Sequence, residues 1–512
     1  MPDPERSRKS NKRERRNRSL KLLGEVFTRI AGEQYYEALV EPGEKIQLER
    51  ERDNQHDPWA IRIENRKFRQ AGYVPRRISS WLAPLIDAGK VWVEGKAAPP
   101  YGAENKSVGT FILLELYLHR KGRRILRQDH DPEGAMEGLH QAVVAIWFEI
   151  DQWTDPEAVS ALSDQLKVMD TEELLPETRM LLALFRHRAW VVRKQARERE
   201  IEVVRETLKR IRIGKAIFYH NLTLFPLISG NGGKPEYVLL KDAIEKEKAE
   251  VREVSESGSI PELLVENRAD SPILIPEGEI LIGAKQNRTV NVTILVAEKT
   301  EHVIPVSCVE QNRWSWKTET LNASHYATPG LRGGKIASSQ ASRRSTGRPL
   351  SDQAKVWEDI AMSISAAGAD SKTGSITDAL EAAKERTAKY RQKLVLPEES
   401  SGILFVIGDE VLGMDLFDSR RTLRKLWPRL SESYFFEAAL KEKRKKALKS
   451  TAKEFIRGLP GIVQMAEKPS GYGRELEFSG QDYAGSGLWY NNRLCHLSAF
   501  RIRGGEQLSG RD

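Results

Sequence analysis

Short runs in which apolar and polar residues alternate recur through the first part of this chain. Residues 45–50 set Ile46 and Leu48 against charged neighbours, the pattern of a half-buried strand. Residues 60–63 place Ala60 and Arg62 on one face and Ile61 and Ile63 on the other, and residues 70–74 form a third run closed by Pro75. The period then changes. Ile78, Trp81, Leu82, Leu85 and Ile86 fall on one face of a helix over 78–88, with Gly89 as its stop. Two further strands are predicted at 91–96 and 109–119. Short strands around one helix predict a compact β-barrel.

Helical spacing takes over beyond residue 131. Met136, Leu139, Val143, Ile146 and Trp147 share one stripe, Val159, Leu162, Leu166 and Met169 another, and Met180, Leu181, Leu184 and Phe185 a third. A charged helical run over 189–212 completes a helical connector, whose alternating basic and acidic residues predict a solvated face. From 213 strands and helices mix. Strands are predicted at 217–219, 222–227, 251–254, 263–267, within 275–296 and at 303–310. Residues 325–349, rich in Gly, Ser and Arg, predict a mobile surface loop. Helices over 352–365 and 376–392, a hairpin of 402–409 with 411–417, a long helix over 420–455 and strands near Glu475 and over 495–501 complete the chain. The fold class is therefore α+β and multidomain: a disordered basic arm (1–23), the barrel (24–125), the connector (131–212), a larger α+β domain (213–503) and a disordered tail (504–512).

Composition narrows this picture. The 512 residues are 39% hydrophobic and 30% charged, the balance of a globular protein too long for one core. No apolar run approaches the roughly 20 residues that span a bilayer, and the polar start lacks the apolar stretch of a secretory signal. Two cysteines, Cys308 and Cys495, point to a reducing compartment, and no CxxC pair offers a zinc site. The location expected is cytoplasmic, with no metal. The net charge is +9, and residues 1–21 hold nine basic residues against three acidic ones. Such an arm either attracts a polyanion or serves as a solubilising tail.

Gly32…Tyr35-Tyr36, Pro42-Gly43, Leu48…Arg50-Glu51, Asn54…Asp57…Ala60-Ile61 and Gly72-Tyr73-Val74-Pro75 together resemble the HIRAN domain over about 24–120. The resemblance implies a modified OB/SH3-like barrel and recognition of single-stranded DNA ends. It places Tyr35, Tyr36, Asn54, His56, Asp57, Tyr73 and Arg76 at the nucleic-acid-binding pocket. Two positions depart from the family pattern: Gln34 stands where a basic residue can occur, and His56 where an aromatic ring would stack better. Aromatic faces hold bases and cations hold phosphates. A carboxylate such as Asp57 repels phosphate but can accept a hydrogen bond from a terminal sugar hydroxyl. The alternative is that Asn54 and Asp57 only satisfy backbone groups of a turn.

A second resemblance covers about 213–503. Gly278-Glu279…Gly283-Ala284-Lys285-Gln286-Asn287-Arg288, the run from Pro305 to Trp314, Gln353…Val356-Trp357, Asp415-Leu416-Phe417 and His496-Leu497…Phe500 are similar to the ARG-and-rhodanese-phosphatase-superfamily-associated domain. That family implies a nucleotide or ADP-ribose context, not a defined reaction. Ile304, Val306, Cys308 and Glu310 share a strand face, and a carboxylate ending an apolar row needs a partner, Arg288 or Arg313. Glu310 is the candidate catalytic residue, with Gln286, Arg288 and Arg313 as ligand-binding candidates. The competing reading is a structural ion pair. His496 reads as a core histidine.

Gly330-Leu331-Arg332-Gly333-Gly334-Lys335-Ile336 lacks the spacing and the hydroxyl residue of a phosphate loop, and no HExxH, GxSxG or GxGxxG occurs. No helicase, ATPase or protease motif is present, and no cofactor is identified. The function expected is a bacterial nucleic-acid-binding adaptor, in a DNA-repair setting, that recognises single-stranded DNA ends and presents the second domain there. The alternative is an enzyme, hydrolase-type, or a sensor acting on a nucleotide or ADP-ribose-type ligand and targeted to DNA by the first domain.

Overall fold

The computed structural model describes residues 21–98, 110–119, 174, 176–229, 233–441, 445–466 and 468–502. The arm over 1–20, the helical stripes within 131–173 and the tail over 504–512 lie outside the described residues. The chain divides into two compact units, Met1–Glu198 and Arg199–Asp512.

The first unit is a six-stranded antiparallel sheet. Its order is Lys21–Arg29, Phe111–Leu118, Val91–Ala97, Lys45–Arg50, Ile61–Glu64 and Gln70–Tyr73. Ala31 and Tyr73 exchange backbone hydrogen bonds of 2.8 and 2.9 Å, which join the last strand to the chain leaving the first and close the sheet. Alternation does what it predicts: Ile112, Leu114, Leu116 and Leu118 point inward along Phe111–Leu118. The Arg76–Asp87 helix buries Ile78, Trp81, Leu82 and Leu85 against this core. The helix Pro176–Lys209 begins in this unit, where Met180, Leu181, Leu184 and Phe185 join the same core, and its residues from 199 belong to the second unit. The strand Lys21–Arg29 begins inside the residues read as arm. A register shift between Leu22 and Gly24 interrupts its alternation, which hid it from a period-two pattern.

The second unit is α+β. A six-stranded antiparallel sheet runs in the order Ala249–Arg252, Glu262–Asn267, Thr300–Cys308, Arg288–Val290, Glu279–Gly283 and Leu321–Tyr326. A nine-stranded sheet orders Val463–Met465, Arg474–Gly480, Tyr483–Tyr490, Arg493–Arg501, Glu410–Phe417, Gly402–Ile407, Leu222–Ile228 and Arg212–Ile213, with Ile217–Tyr219 also pairing Leu222–Ile228. The expected hairpin of 402–417 sits inside that sheet.

Three expectations for this unit are corrected, and the first is that the helix over 376–392 is two, Ile376–Ala382 and Lys384–Lys393. The expected loop over 325–349 is mostly a helix, Pro329–Thr346, opened by Thr328 and Pro329 and stopped at Gly347 with φ 79°. Its glycines are contact residues: a Cβ on Gly333 would meet Phe500 Cβ at 3.0 Å, so glycine lets the helix lie close against the sheet. The long helix over 420–455 is two helices, Arg420–Ala439 and Lys449–Ile462. Among the described residues no helix is long and apolar enough to cross a membrane.

Candidate functional sites

In the first unit two of the candidate nucleic-acid residues, Asn54 and Tyr73, meet at one carboxylate, Glu51, which was not among the candidate site residues. Glu51 Oε2 accepts from Asn54 Nδ2 at 2.9 Å and from the Tyr73 hydroxyl at 3.1 Å, and Glu51 Oε1 accepts from Arg62 at 2.8 Å. Burial pushes its carboxyl up, but the bonds from Asn54, Tyr73 and Arg62 outweigh this and hold it below the ordinary carboxylate range. Asn54 Oδ1 accepts the backbone N–H of His56 and Asp57 at 2.9 and 3.0 Å, and Asp57 Oδ1 accepts that of Trp59 at 3.0 Å. Both residues therefore build the turn. The second Asp57 oxygen, Oδ2, has no hydrogen-bond partner among the described residues. Arg50 fastens the same turn from outside, through the carbonyls of Glu51, Pro58 and Ala60 and the Asp87 carboxylate.

Tyr36 meets Tyr73 edge-on at 6.2 Å, while Tyr35 stands 80% exposed at the end of the short helical turn Glu33–Tyr35. Gly72 lets that turn approach: its φ is 145°, and a Cβ would lie 2.6 Å from the Ala31 carbonyl oxygen. His56 and Arg76 are exposed. Arg76 has no hydrogen-bond or ion-pair partner among the described residues, and its neighbour Arg77 reaches Thr28 Oγ1 at 3.5 Å. Among the described residues these positions thus leave an uncovered aromatic ring, a guanidinium without a partner and a carboxylate oxygen with bonding capacity.

In the second unit Glu310 and Arg313 form a pair at 2.7 Å, both largely buried. Glu310 Oε2 also accepts the Asn287 N–H at 3.0 Å, and Arg313 donates to the carbonyls of Gly283, Ala284 and Ser315 and to Asn287 Oδ1. Burial raises the Glu310 carboxyl, but Arg313 and Asn287 outweigh it and keep the group ionised. The bonds to Gly283, Ala284 and Asn287 tie the 283–287 turn to the 310–315 loop, while those to Glu310 and Ser315 hold the loop itself. Gln286 accepts from Arg288 NH1 at 2.8 Å. Arg288 itself is fully buried, 3.9 Å from Glu253, yet its Nε and NH2 and both Glu253 oxygens lack a hydrogen-bond partner among the described residues. Trp314, 46% exposed, covers Arg288 at 5.5 Å from its ring centre. Cys308 is buried, its thiol pushed up by that burial, and donates to the Glu310 carbonyl at 3.1 Å.

A third cluster escaped the sequence reading. Arg332 donates to Asp415 at 2.6 and 3.1 Å and to Glu277 at 3.0 and 3.1 Å. Lys335 lies 3.2 Å from Glu277, the Tyr434 hydroxyl donates to Asp415 at 2.7 Å, and Ser498 donates to Glu277 at 2.9 Å. His496, read as a core histidine, sits in the core as read, bridging Asp415 at 3.3 Å and Thr293 at 2.7 Å and stacked on Phe417. Arg332, Lys335, Glu277 and Asp415 have no exposed side-chain surface, so the network is a scaffold sealed from solvent rather than a site open to substrate. Among the described residues no three His, Cys, Asp or Glu side chains converge as metal ligands would.

Comparison with known proteins matches two separate regions of the chain. The HIRAN domain model matches residues 23–117. Within that region the chain is similar to a putative SWI/SNF-related matrix-associated actin-dependent regulator of chromatin subfamily A member 3-like 1 from Arabidopsis thaliana, 38% identical over 74 residues. It is also similar to the helicase-like transcription factor of Oryctolagus cuniculus, 33% identical over 84 residues. These stretches are 14% and 16% of this chain and span 8% of each relative's length. Similar solved structures include the HIRAN domain of human HLTF, at 25% identity and TM-score 0.19 over 20% of this chain and 84% of that one. The same domain in its DNA-bound conformation matches at 25% identity and TM-score 0.18, over 21% and 84%. The ARG and Rhodanese-Phosphatase-superfamily-associated Protein domain model matches residues 210–500. With that match over more than half of its length, behind a HIRAN domain, the chain belongs to the ARPP-1 family.

Proposed function

We propose that the protein is a nucleic-acid-binding adaptor whose HIRAN domain holds single-stranded DNA ends and brings the ARPP-1 domain to them. The observation that carries this reading is Tyr35, an aromatic ring left 80% exposed on the Glu33–Tyr35 turn. A ring so placed stacks a base, Arg76 neutralises a phosphate, and the free Asp57 oxygen accepts a terminal hydroxyl. Binding of a fluorescent single strand to the full chain tests it. Tyr35→Ala removes one stacked base and should weaken binding by about ten- to hundredfold. Unchanged affinity would reject the surface.

The second reading, an enzyme or sensor for a nucleotide or ADP-ribose-type ligand, is favoured by one observation: Arg288 and Glu253 hold unpartnered donors and acceptors under Trp314, beside Gln286 and Arg313. Buried polar atoms are seldom left unpaired. A thermal-shift screen of the full chain with nucleotides and ADP-ribose tests it. A stabilisation that survives in the wild type and disappears in Arg288→Met supports the reading, and no response from any of them counts against it.

A further inference from the structure

We propose that the ARPP-1 domain carries its own phosphate-binding cleft, at the start of the Arg420–Ala439 helix, which takes a run of closely spaced phosphates such as the backbone of a nucleic-acid strand. The cleft encloses about 650 Å³ and is lined by five cations, Lys234, Arg420, Arg421, Arg424 and Lys425, against one carboxylate, Glu398. Glu398 is almost wholly in solvent and 3.6 Å from Arg424, and Lys425 pairs with Asp242. The side-chain cations of Lys234, Arg420 and Arg421 have no hydrogen-bond or ion-pair partner among the described residues, and both arginines are exposed.

The arrangement is electrostatically uphill without an anion. The first turn of a helix presents the positive end of its dipole, where acids are favoured and cations repelled. This helix has no acid in its first turn and opens with two arginines. Their mutual repulsion adds to that from Lys234, and a concave wall in which five cations face one carboxylate concentrates the positive field at its mouth. An anion seated there would reverse each of these terms and meet the helix N-terminus as well. The lining contains no aromatic ring and, apart from Pro235, no apolar side chain. With no aromatic ring to stack a base, the cleft reads phosphate charge ahead of base identity. The proposal does not depend on the HIRAN surface.

The test uses the full chain and Arg420→Glu/Arg421→Glu. Glutamates suit a first turn, so the variant should melt at the same temperature or higher without ligand. Arg420→Gln/Arg421→Gln serves as the second variant. Binding of a fluorescent single strand is followed across a salt series, and thermal stability is followed with tripolyphosphate against sulfate at equal ionic strength. Losing two phosphate contacts should flatten the slope of log affinity against log salt by between about 1 and 2. Tripolyphosphate should stabilise the wild type and Tyr35→Ala but neither cleft variant. If tripolyphosphate responds in this way while the oligonucleotide slope is unchanged, the cleft takes free condensed phosphate and its assignment to a strand falls. An unchanged slope with no tripolyphosphate stabilisation of the wild type overturns the proposal.

Discussion

Arg332 and Asp415 face each other in a two-point ion pair, at 2.6 and 3.1 Å, with neither side chain exposed to solvent. The pair joins the Pro329–Thr346 helix to the Glu410–Phe417 strand, and its charges are completed by Glu277 and Lys335. Removing Asp415 leaves Arg332 and Lys335 facing Glu277 as their one remaining carboxylate in a low-dielectric interior. Asp415→Ala should therefore cost about 3–5 kcal/mol, whereas Arg332→Met with Asp415→Leu should recover most of that loss. Denaturant midpoints of the single and double variants check both.

Lys335 gives the same network a signature in pH. Burial outweighs its pairing with Glu277 and lowers its ammonium from 10.5 to about 8. Between those values the unfolded chain holds a proton that the folded one has released, so stability rises with pH across that window. The contribution is at most about 1.4 kcal/mol per pH unit. Denaturation of wild type and Lys335→Met between pH 8 and 9.5 should show a difference in stability that grows with pH in favour of the wild type.

Glu310 separates scaffold from chemistry. Its carboxylate holds Arg313 and the Asn287 N–H, and through them the loop bearing Trp314. Glu310→Gln removes the charge and leaves Arg313 poorly matched, so the melting temperature should fall, by about 1–3 kcal/mol of stability. An equal or higher melting temperature together with loss of a nucleotide response would instead assign Glu310 to a working cleft.

The barrel's local rules were legible because they are periodic. Phe111–Leu118 alternates residue by residue in burial, and Ile78, Trp81, Leu82 and Leu85 repeat at helical spacing. The turn residues Asn54 and Asp57 announced a corner. The hub beneath them, Glu51, did not, because its partners Arg62 and Tyr73 come from other strands. The Pro329–Thr346 helix reads as a loop because Gly330, Gly333 and Gly334 lower helix propensity. It forms because tertiary contacts bury Leu331, Arg332, Lys335 and Ile336. The strand Tyr483–Tyr490 went unread for a related reason: Gly485, Ser486 and Gly487 interrupt any apolar pattern, while a Cβ on Gly485 would lie 2.7 Å from the Ser498 carbonyl oxygen. The sealed network of 277, 332, 415 and 496 joins four distant segments, and no local pattern encodes it.

Gly72 tests the link between barrel closure and Tyr35. A methyl group there would sit 2.4 Å from Ile30 Cγ2 and 2.6 Å from the Ala31 carbonyl oxygen, on a backbone with φ 145°. Gly72→Ala should destabilise the barrel by roughly 2 kcal/mol or more. Amide hydrogen exchange should show faster opening at Ala31 and Tyr73, whose mutual bonds close the sheet.

The central claim, that the HIRAN surface reads a DNA end, is tested most directly by fluorescence anisotropy of the full chain with matched single strands. They differ only in carrying a free or a phosphorylated terminus, with a duplex as comparison. Asp57 should accept a bond from a free hydroxyl and repel a terminal phosphate, so the free-hydroxyl strand should bind most tightly, and Asp57→Asn should erase the difference. Equal affinity for free ends, phosphorylated ends and duplex would contradict it.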